Sequence, residues 1–231
     1  MTRPRIVNDA LELLYYKKGL LVEEPDPRDY SDEVHLGSVG DKGKLPKYVN
    51  LGGRADNQGR TNKCTAYATK KNFEIHVSNY LMSKSNWFEA GEQWNNQLLD
   101  PGTADPSHGD YISSAMKSLK KFGLYYRGKQ WMIDSYLFTP KESWKGRLAQ
   151  GYPITTGLRV LFPMCDKDHV WRANTSGGGH AILIVGYDDK NKRFICLNSW
   201  GSKWGHNGYF YINYSDQALL MRGWVLKPKF D

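Results

Sequence analysis

Downstream of Lys63 the apolar residues Ala66, Phe73, Val77, Tyr80 and Leu81 recur at helical spacing and share one face. The stretch before them, Asn57-Gln58-Gly59-Arg60-Thr61-Asn62, is polar and turn-prone, so the pattern predicts a helix beginning at or near Cys64. A second stripe, Tyr111, Ile112, Ala115, Met116, Leu119 and Phe122, is closed by Gly123 and predicts another helix. Weaker helical patterns cover residues 6–17 (Ile6, Ala10, Leu13, Leu14) and 86–99. Thr139-Pro140-Lys141-Glu142 has the form of a capping box with proline in the first turn, predicting a helix that ends at Gly151. From residue 153 the pattern changes to short apolar runs. These predict strands over 153–161, 181–187, 193–199, 208–213 and 223–227. Residues 23–43 are rich in Pro, Asp and Gly and read as an extended arm, and 101–109 reads as a loop.

Three of these elements bring reactive residue types to their ends. Cys64 sits where a helix presents unpaired N–H groups and the positive end of its dipole, which lowers a thiol's pKa. A lone cysteine there is more often a buried, inert thiol. His180 changes that balance: it follows Ser176-Gly177-Gly178-Gly179 and opens the apolar strand Ala181-Ile182-Leu183-Ile184-Val185-Gly186-Tyr187. Asn198 ends the next strand, Phe194-Ile195-Cys196-Leu197. A thiolate nucleophile needs a base, and the base needs a group that holds its ring, so Cys64, His180 and Asn198 supply the three roles. Gln58 can present its amide to a developing oxyanion, with the Cys64 N–H as second donor.

With Gln58 six residues before Cys64, His180-Ala181 entering a Val-Gly-Tyr strand, and Asn198-Ser199-Trp200-Gly201 continuing through Trp204-Gly205 to Gly208-Tyr209, the chain resembles the papain-like cysteine peptidases. The resemblance covers roughly residues 45–227. It implies an α+β, two-lobed fold, in which a helical lobe with the nucleophile helix packs against a β-barrel-like lobe. The implied division is an N-terminal extension, 1–44, and a catalytic domain, 45–231, with lobes of about 45–150 and 151–231. Asp26-Pro27-Arg28-Asp29-Tyr30 and Leu45-Pro46 are similar to segments of the compact single-domain forms found in bacteria and bacteriophages. By the same resemblance, Gly109 is a candidate for bonding the substrate backbone, although an ordinary turn glycine reads equally well. Trp200 covers the His–Asn bond, and Trp204 reads as core. The chain departs from the family in having Lys63 and Thr65 around the nucleophile, where many relatives have Ser and Trp. Lys63 thus places a cation beside the thiol and bears on substrate binding.

The chain of 231 residues has a formal net charge of +8, but its basic residues are scattered, with Lys117, Lys120 and Lys121 as the densest helical cluster. No nucleic-acid motif accompanies them, so a solvated basic surface and no nucleic-acid partner are expected. No apolar run is long enough to span a bilayer and no signal-peptide pattern opens the chain. Three cysteines allow at most one bridge beside Cys64, and Thr61 stands where many relatives have a further cysteine. A cytoplasmic or other reducing compartment is therefore expected, and a virus-encoded origin fits the resemblance. Cys196 reads as a buried thiol. Cys165-Asp166-Lys167-Asp168-His169 lacks a second ligand pair at zinc spacing and reads as a charged loop, and Gly177-Gly178-Gly179 lacks the Lys-Ser/Thr of a phosphate cradle. Neither a metal nor an organic cofactor is required.

The expected protein is a monomeric cysteine endopeptidase acting on polypeptides through an acyl-enzyme. The same chemistry on an isopeptide or cell-wall peptide bond, and a non-catalytic binding module on the same fold, are the alternatives. The 44 residues before Leu45 carry little apolar surface, which favours an arm packed along the outside of one lobe and a full-length chain active as synthesised.

Overall fold

A computed structural model describes residues 19–26, 29, 31–37, 45–83, 109–126, 128–161 and 165–230. The helical patterns at 6–17 and 86–99 lie outside these residues. The architecture is α+β. One antiparallel sheet organises the described residues: β2 (Leu124–Tyr126), β3 (Lys129–Thr139), β4 (Ile154–Val160), β5 (Gly178–Asp188), β6 (Arg193–Leu197), β7 (Tyr209–Asn213) and β8 (Gly223–Lys229). Their order is β2-β3-β8-β4-β5-β6-β7, and β1 (Tyr48–Asn50) pairs with β5. Helix α1 (Asp32–Leu36) belongs to the arm, α2 (Cys64–Ser83) and α3 (Ile112–Phe122) form the helical side, and α4 (Trp144–Ala149) precedes β4.

The strand expectations at 153–161, 181–187, 193–199, 208–213 and 223–227 match β4 to β8 to within a few residues. β2 and β3 were not anticipated. Through the β3–β8 pairing they give the sheet residues 124–139, so it begins well before the expected lobe boundary at 150. The sequence of β3 alternates only loosely between buried and exposed positions, and its Asp134 coincides with a register shift between Ile133 and Ser135, which obscures the two-residue period. The expected capping box does not form. Thr139 ends β3, Pro140 starts a 3₁₀ turn over Lys141–Ser143 without a side-chain cap, and α4 begins only at Trp144. Strand pairing with Gly223 holds Thr139 extended, and that overrides the local helix signal.

The cysteine helix α2 is buried not on one face but continuously from Cys64 to Val77. It packs over β5, β4 and β8 and against α3. Phe73 and Val77 are fully buried, each contributing about 1.5–3 kcal/mol from burial. The polar residues of its far side are paired internally: Lys70 and Lys71 both meet Asp56, Lys71 meets Glu74, and Asn72 donates to the Pro153 carbonyl and Thr155 Oγ1, each at 3.0 Å. A helix held on all sides fixes its first residue, Cys64, against the sheet.

His76 on this helix is buried beside Tyr152 at 5.5 Å between ring centroids, and its Nε2 has no hydrogen-bond partner. Burial lowers its pKa to about 4. The neutral ring is therefore favoured in the folded state, so this stability is fully present above the unfolded pKa near 6.5 and is lost as pH falls from 6.5 towards 4. The loss amounts to about 3 kcal/mol. Urea unfolding at pH 7 and pH 4 should show a smaller acid loss in His76→Gln than in the wild type. Equal acid losses in the two proteins would sink this assignment.

Candidate active site

Cys64 is the first residue of α2 and is fully buried. Burial is the dominant influence on its thiol and pushes the pKa up; N–H groups of Ala181, Gly19, Thr65 and Cys64 itself bond the sulfur and pull it back down. The expectation of a freely lowered pKa at the helix N-terminus is thus overridden by desolvation. The Ala181 bond places the sulfur beside the residue that follows His180.

His180, in β5 opposite Leu158 of β4, is fully buried. Its Nε2 lies 2.8 Å from Asn198 Oδ1, just past the end of β6. The Ser199 N–H also donates to Asn198 Oδ1 at 2.8 Å, and only an oxygen can take both bonds. The imidazole proton therefore sits on Nε2, which makes Nδ1 the basic nitrogen of the neutral ring. Trp200 stacks on the imidazole at 4.4 Å and 28°. It shields the His–Asn bond from water and so strengthens it. Trp204 and Trp171 back it, with centroids 5.2 and 5.4 Å from Trp200.

Gln58 is buried and fixed at both ends of its amide. Ser199 Oγ donates to its Oε1 at 2.6 Å, and its Nε2 donates to the Thr61 carbonyl at 2.8 Å. Its backbone N–H donates to the Ser199 carbonyl at 2.8 Å. The orientation turns the amide's NH₂ edge towards the loop that leads into Cys64. Lys63, half-buried, uses its carbonyl to accept the Tyr67 N–H in the first turn of α2. The structure thus brings Gln58, Lys63, Cys64, His180, Asn198 and Trp200 to one locus. In the charged loop, Asp166 Oδ1 accepts the N–H groups of Asp168 and Val170, each at 2.9 Å. Cys165 and Cys196 are free thiols, with Cys196 fully buried.

The arm packs on the sheet side only in its downstream part, at Ser31 and Asp32; its first described residues do not follow that course. Gly19-Leu20-Leu21 crosses the site as an extended strap. Leu20 N–H donates to the Gly179 carbonyl at 3.0 Å, Asp110 N–H to the Gly19 carbonyl at 2.7 Å, and Leu21 N–H to the Asp110 carbonyl at 3.0 Å. Leu20 pairs parallel with Asp110 and antiparallel with Gly179. Gly109, with φ of 84°, carries the strap: a Cβ there would fall 2.0 Å from the Gly19 carbonyl oxygen. Gly19 itself runs so close to the loop before Cys64 that a Cβ would lie 1.9 Å from the Asn62 carbonyl oxygen. The side chain of Leu20 is buried where a Cβ on Gly157 would meet it at 2.1 Å, next to Met221. The strap's apolar contribution is a single well-seated leucine and its grip is mostly main-chain bonding, and this is why a search for apolar stripes misses it.

Trp171, Gly157 and Met221 escaped the sequence reading. Ser199 was named there only as part of the Asn-Ser-Trp-Gly run, without its hold on Gln58. Trp171, Gly157 and Met221 stand in stretches with no motif, and only the sheet brings them to the site.

A family model described as the papain family cysteine protease matches residues 139–222. An uncharacterized peptidase C1-like protein of Acanthamoeba polyphaga mimivirus is 25% identical over 222 residues, covering 75% of this chain and 70% of that protein. A viral cathepsin of Lymantria dispar multicapsid nuclear polyhedrosis virus is 26% identical over 247 residues, covering 91% of this chain and 65% of its own length. Among solved structures, xylellain, a cysteine protease from Xylella fastidiosa, superimposes with a TM-score of 0.74 at 22% identity, covering 92% of this chain and 96% of that one. Digestive procathepsin L2 from Tenebrio molitor gives 0.74 at 16% identity, covering 95% and 81%. At these identities the structural matches speak for the fold.

Proposed function

From the premise that this chain is a papain-like cysteine peptidase, we propose that it is an endopeptidase working through Cys64, His180, Asn198 and Gln58, and that the strap keeps it latent. With the strap gone, His180 Nδ1 takes the Cys64 proton, and the thiolate attacks a peptide carbonyl. The Gln58 amide and the Cys64 N–H stabilise the oxyanion. His180 returns its proton to the leaving amine, and water, deprotonated by the same ring, releases the acyl group as a carboxylic acid. Asn198 holds the ring without carrying charge. Lys63 and Gly109 border the path of the substrate backbone.

The observation that carries this reading is the bonded chain beside Cys64, running from His180 through Asn198 and Ser199 to Gln58. A second feature supports the substrate class. The strap is itself a polypeptide bound by main-chain hydrogen bonds to Gly179 and Asp110, with an aliphatic side chain between Gly157 and Met221. A substrate laid along the same edges places a leucine-like residue in that hollow. The relatives from two viruses suit a virus-encoded protein, and three free thiols suit a reducing compartment.

The test is mass-spectrometric identification of products from a mixed peptide library, under reducing conditions, with the strap displaced. The expected result is internal cleavage with leucine or a similar residue enriched near the scissile bond, and no cleavage by the intact latent chain. A protein whose Cys64 alkylates rapidly yet cuts no peptide would overturn the reading.

A further inference from the structure

The arm is held in two places of different physical character. Upstream, the strap is a strip of main-chain bonds with one buried side chain, Leu20. Its end, Glu23, accepts the Ser113 N–H in the first turn of α3 at 2.9 Å, and burial raises the pKa of that carboxyl. Between these contacts the chain is open to solvent, with Leu21 at 39% and Val22 at 46% exposure, and Glu24 and Pro25 also exposed. Downstream the contacts change. Asp29 pairs with Arg222 at 2.5 Å, and Ser31 bridges Phe138 of β3. Asp32, the first residue of α1, pairs with Arg147 of α4 at 2.7 Å, both side chains being fully buried. Arg147 donates further to the Gly37 carbonyl at 2.8 Å and to Gln150 Oε1 at 2.7 Å. Leu36 packs on the core cluster that contains Trp144, Leu148 and Phe194.

A buried guanidinium whose carboxylate is withdrawn is left charged in a dry interior, and breaking such a pair is strongly destabilising. Withdrawing α1 would do this to Arg147 and would uncover apolar core at Leu36. Withdrawing the strap breaks main-chain bonds instead: the Gly179 carbonyl, the Asp110 backbone and the Cys64 sulfur each lose a partner that water can replace, and Ser113 loses one cap.

We propose that the arm is two devices, a removable strap ending at Glu24 and a permanent anchor, Asp29–Gly37, that belongs to the working enzyme, with the processing site in the stretch Leu21–Glu24, where Leu21, Val22 and Glu24 are exposed. This rests on the peptidase reading only in calling the freed protein an enzyme. Processing is one peptide-bond hydrolysis: the acyl carbon takes hydroxyl from water to give a carboxylate, and the amide nitrogen takes the proton to become the new amino terminus.

The test uses the full chain with a recognition sequence for a site-specific protease inserted after Glu24 or, separately, after Lys44. After cutting and gel filtration, alkylation of Cys64 by iodoacetamide and the unfolding midpoint are read. The cut after Glu24 should shed the strap and raise the alkylation rate by at least about 100-fold, because the thiol no longer waits for a rare opening. The cut after Lys44 should leave residues 1–44 bound and Cys64 slow. In the uncut chain, Asp32→Asn should lower the midpoint by about 10 °C, and the pair Asp32→Leu with Arg147→Met should recover most of it. A fragment of residues 1–44 that leaves behind a folded, fast-alkylating protein would show the whole arm to be removable and overturn the proposal. So would a drop of less than about 3 °C in Asp32→Asn, or a strap that stays bound after its own cut. None of these readings needs a peptide substrate, so they stand or fall separately from the peptidase activity.

Discussion

Replacing either Cys64 or His180 with alanine in strap-free protein should lower turnover by a factor on the order of 10⁴–10⁶. The size follows from the shared proton. Without His180 the thiol must ionise unaided in a site where burial already pushes its pKa up. Without Cys64 the correctly held imidazole has nothing to activate except water. The two changes act on one unit, so the double variant should be about as slow as either single one. Single-turnover measurements on a leucine-containing peptide would check this, with unfolding midpoints as controls for a folded site. An additive double variant, or a His180→Ala protein retaining a tenth of the activity, would show that the two side chains do not form a pair.

Gln58→Ala should cost roughly 10–1,000-fold in turnover with little change in KM, the range for removing one oxyanion donor. The ground-state carbonyl makes weaker use of that donor than the oxyanion does, so the loss falls on the chemical step. Asn198→Ala should cost less than loss of Cys64, since it positions the ring and transfers no proton. Ser199→Ala, which removes one of the holds on the Gln58 amide, should mimic a weakened Gln58 rather than a weakened base. The discriminating readout is the pH profile. Asn198→Ala should move the limb governed by His180, whereas Gln58→Ala should lower the rate without moving it. A shifted limb in Gln58→Ala would contradict the division of roles.

Much of the candidate site was legible because its reactive residue types are concentrated at element ends, where sequence has sharp punctuation. Cys64 follows a run of turn residues, His180 follows three glycines, and Asn198 closes an apolar strand. The nucleophile helix was legible in place but not in environment. The periodicity of Ala66, Phe73 and Val77 predicts one buried face, yet Lys70 and Lys71 are buried as well through Asp56, a partner 14 residues from Lys70. β3 was hidden because its pairing with β8 joins residues about 90 apart, and long-range hydrogen bonding can hold a weakly patterned segment extended. The strap was hidden for a related reason. Its affinity comes from backbone groups, which every residue has, and from the lack of side chains at Gly19 and Gly109, where bulk would forbid contact.

The run Asn198-Ser199 receives the His180 hydrogen bond at one residue and fixes the Gln58 amide at the next. The proposed base and the proposed charge-stabilising donor therefore share one short piece of backbone as their common datum, and a displacement of that piece moves both in register. Tolerances do not accumulate between them as they would across two separate loops. The site has, in effect, one positional degree of freedom where its chemistry would otherwise need two, and a small lateral drift of the β6 end would detune proton transfer and charge stabilisation together rather than one at a time.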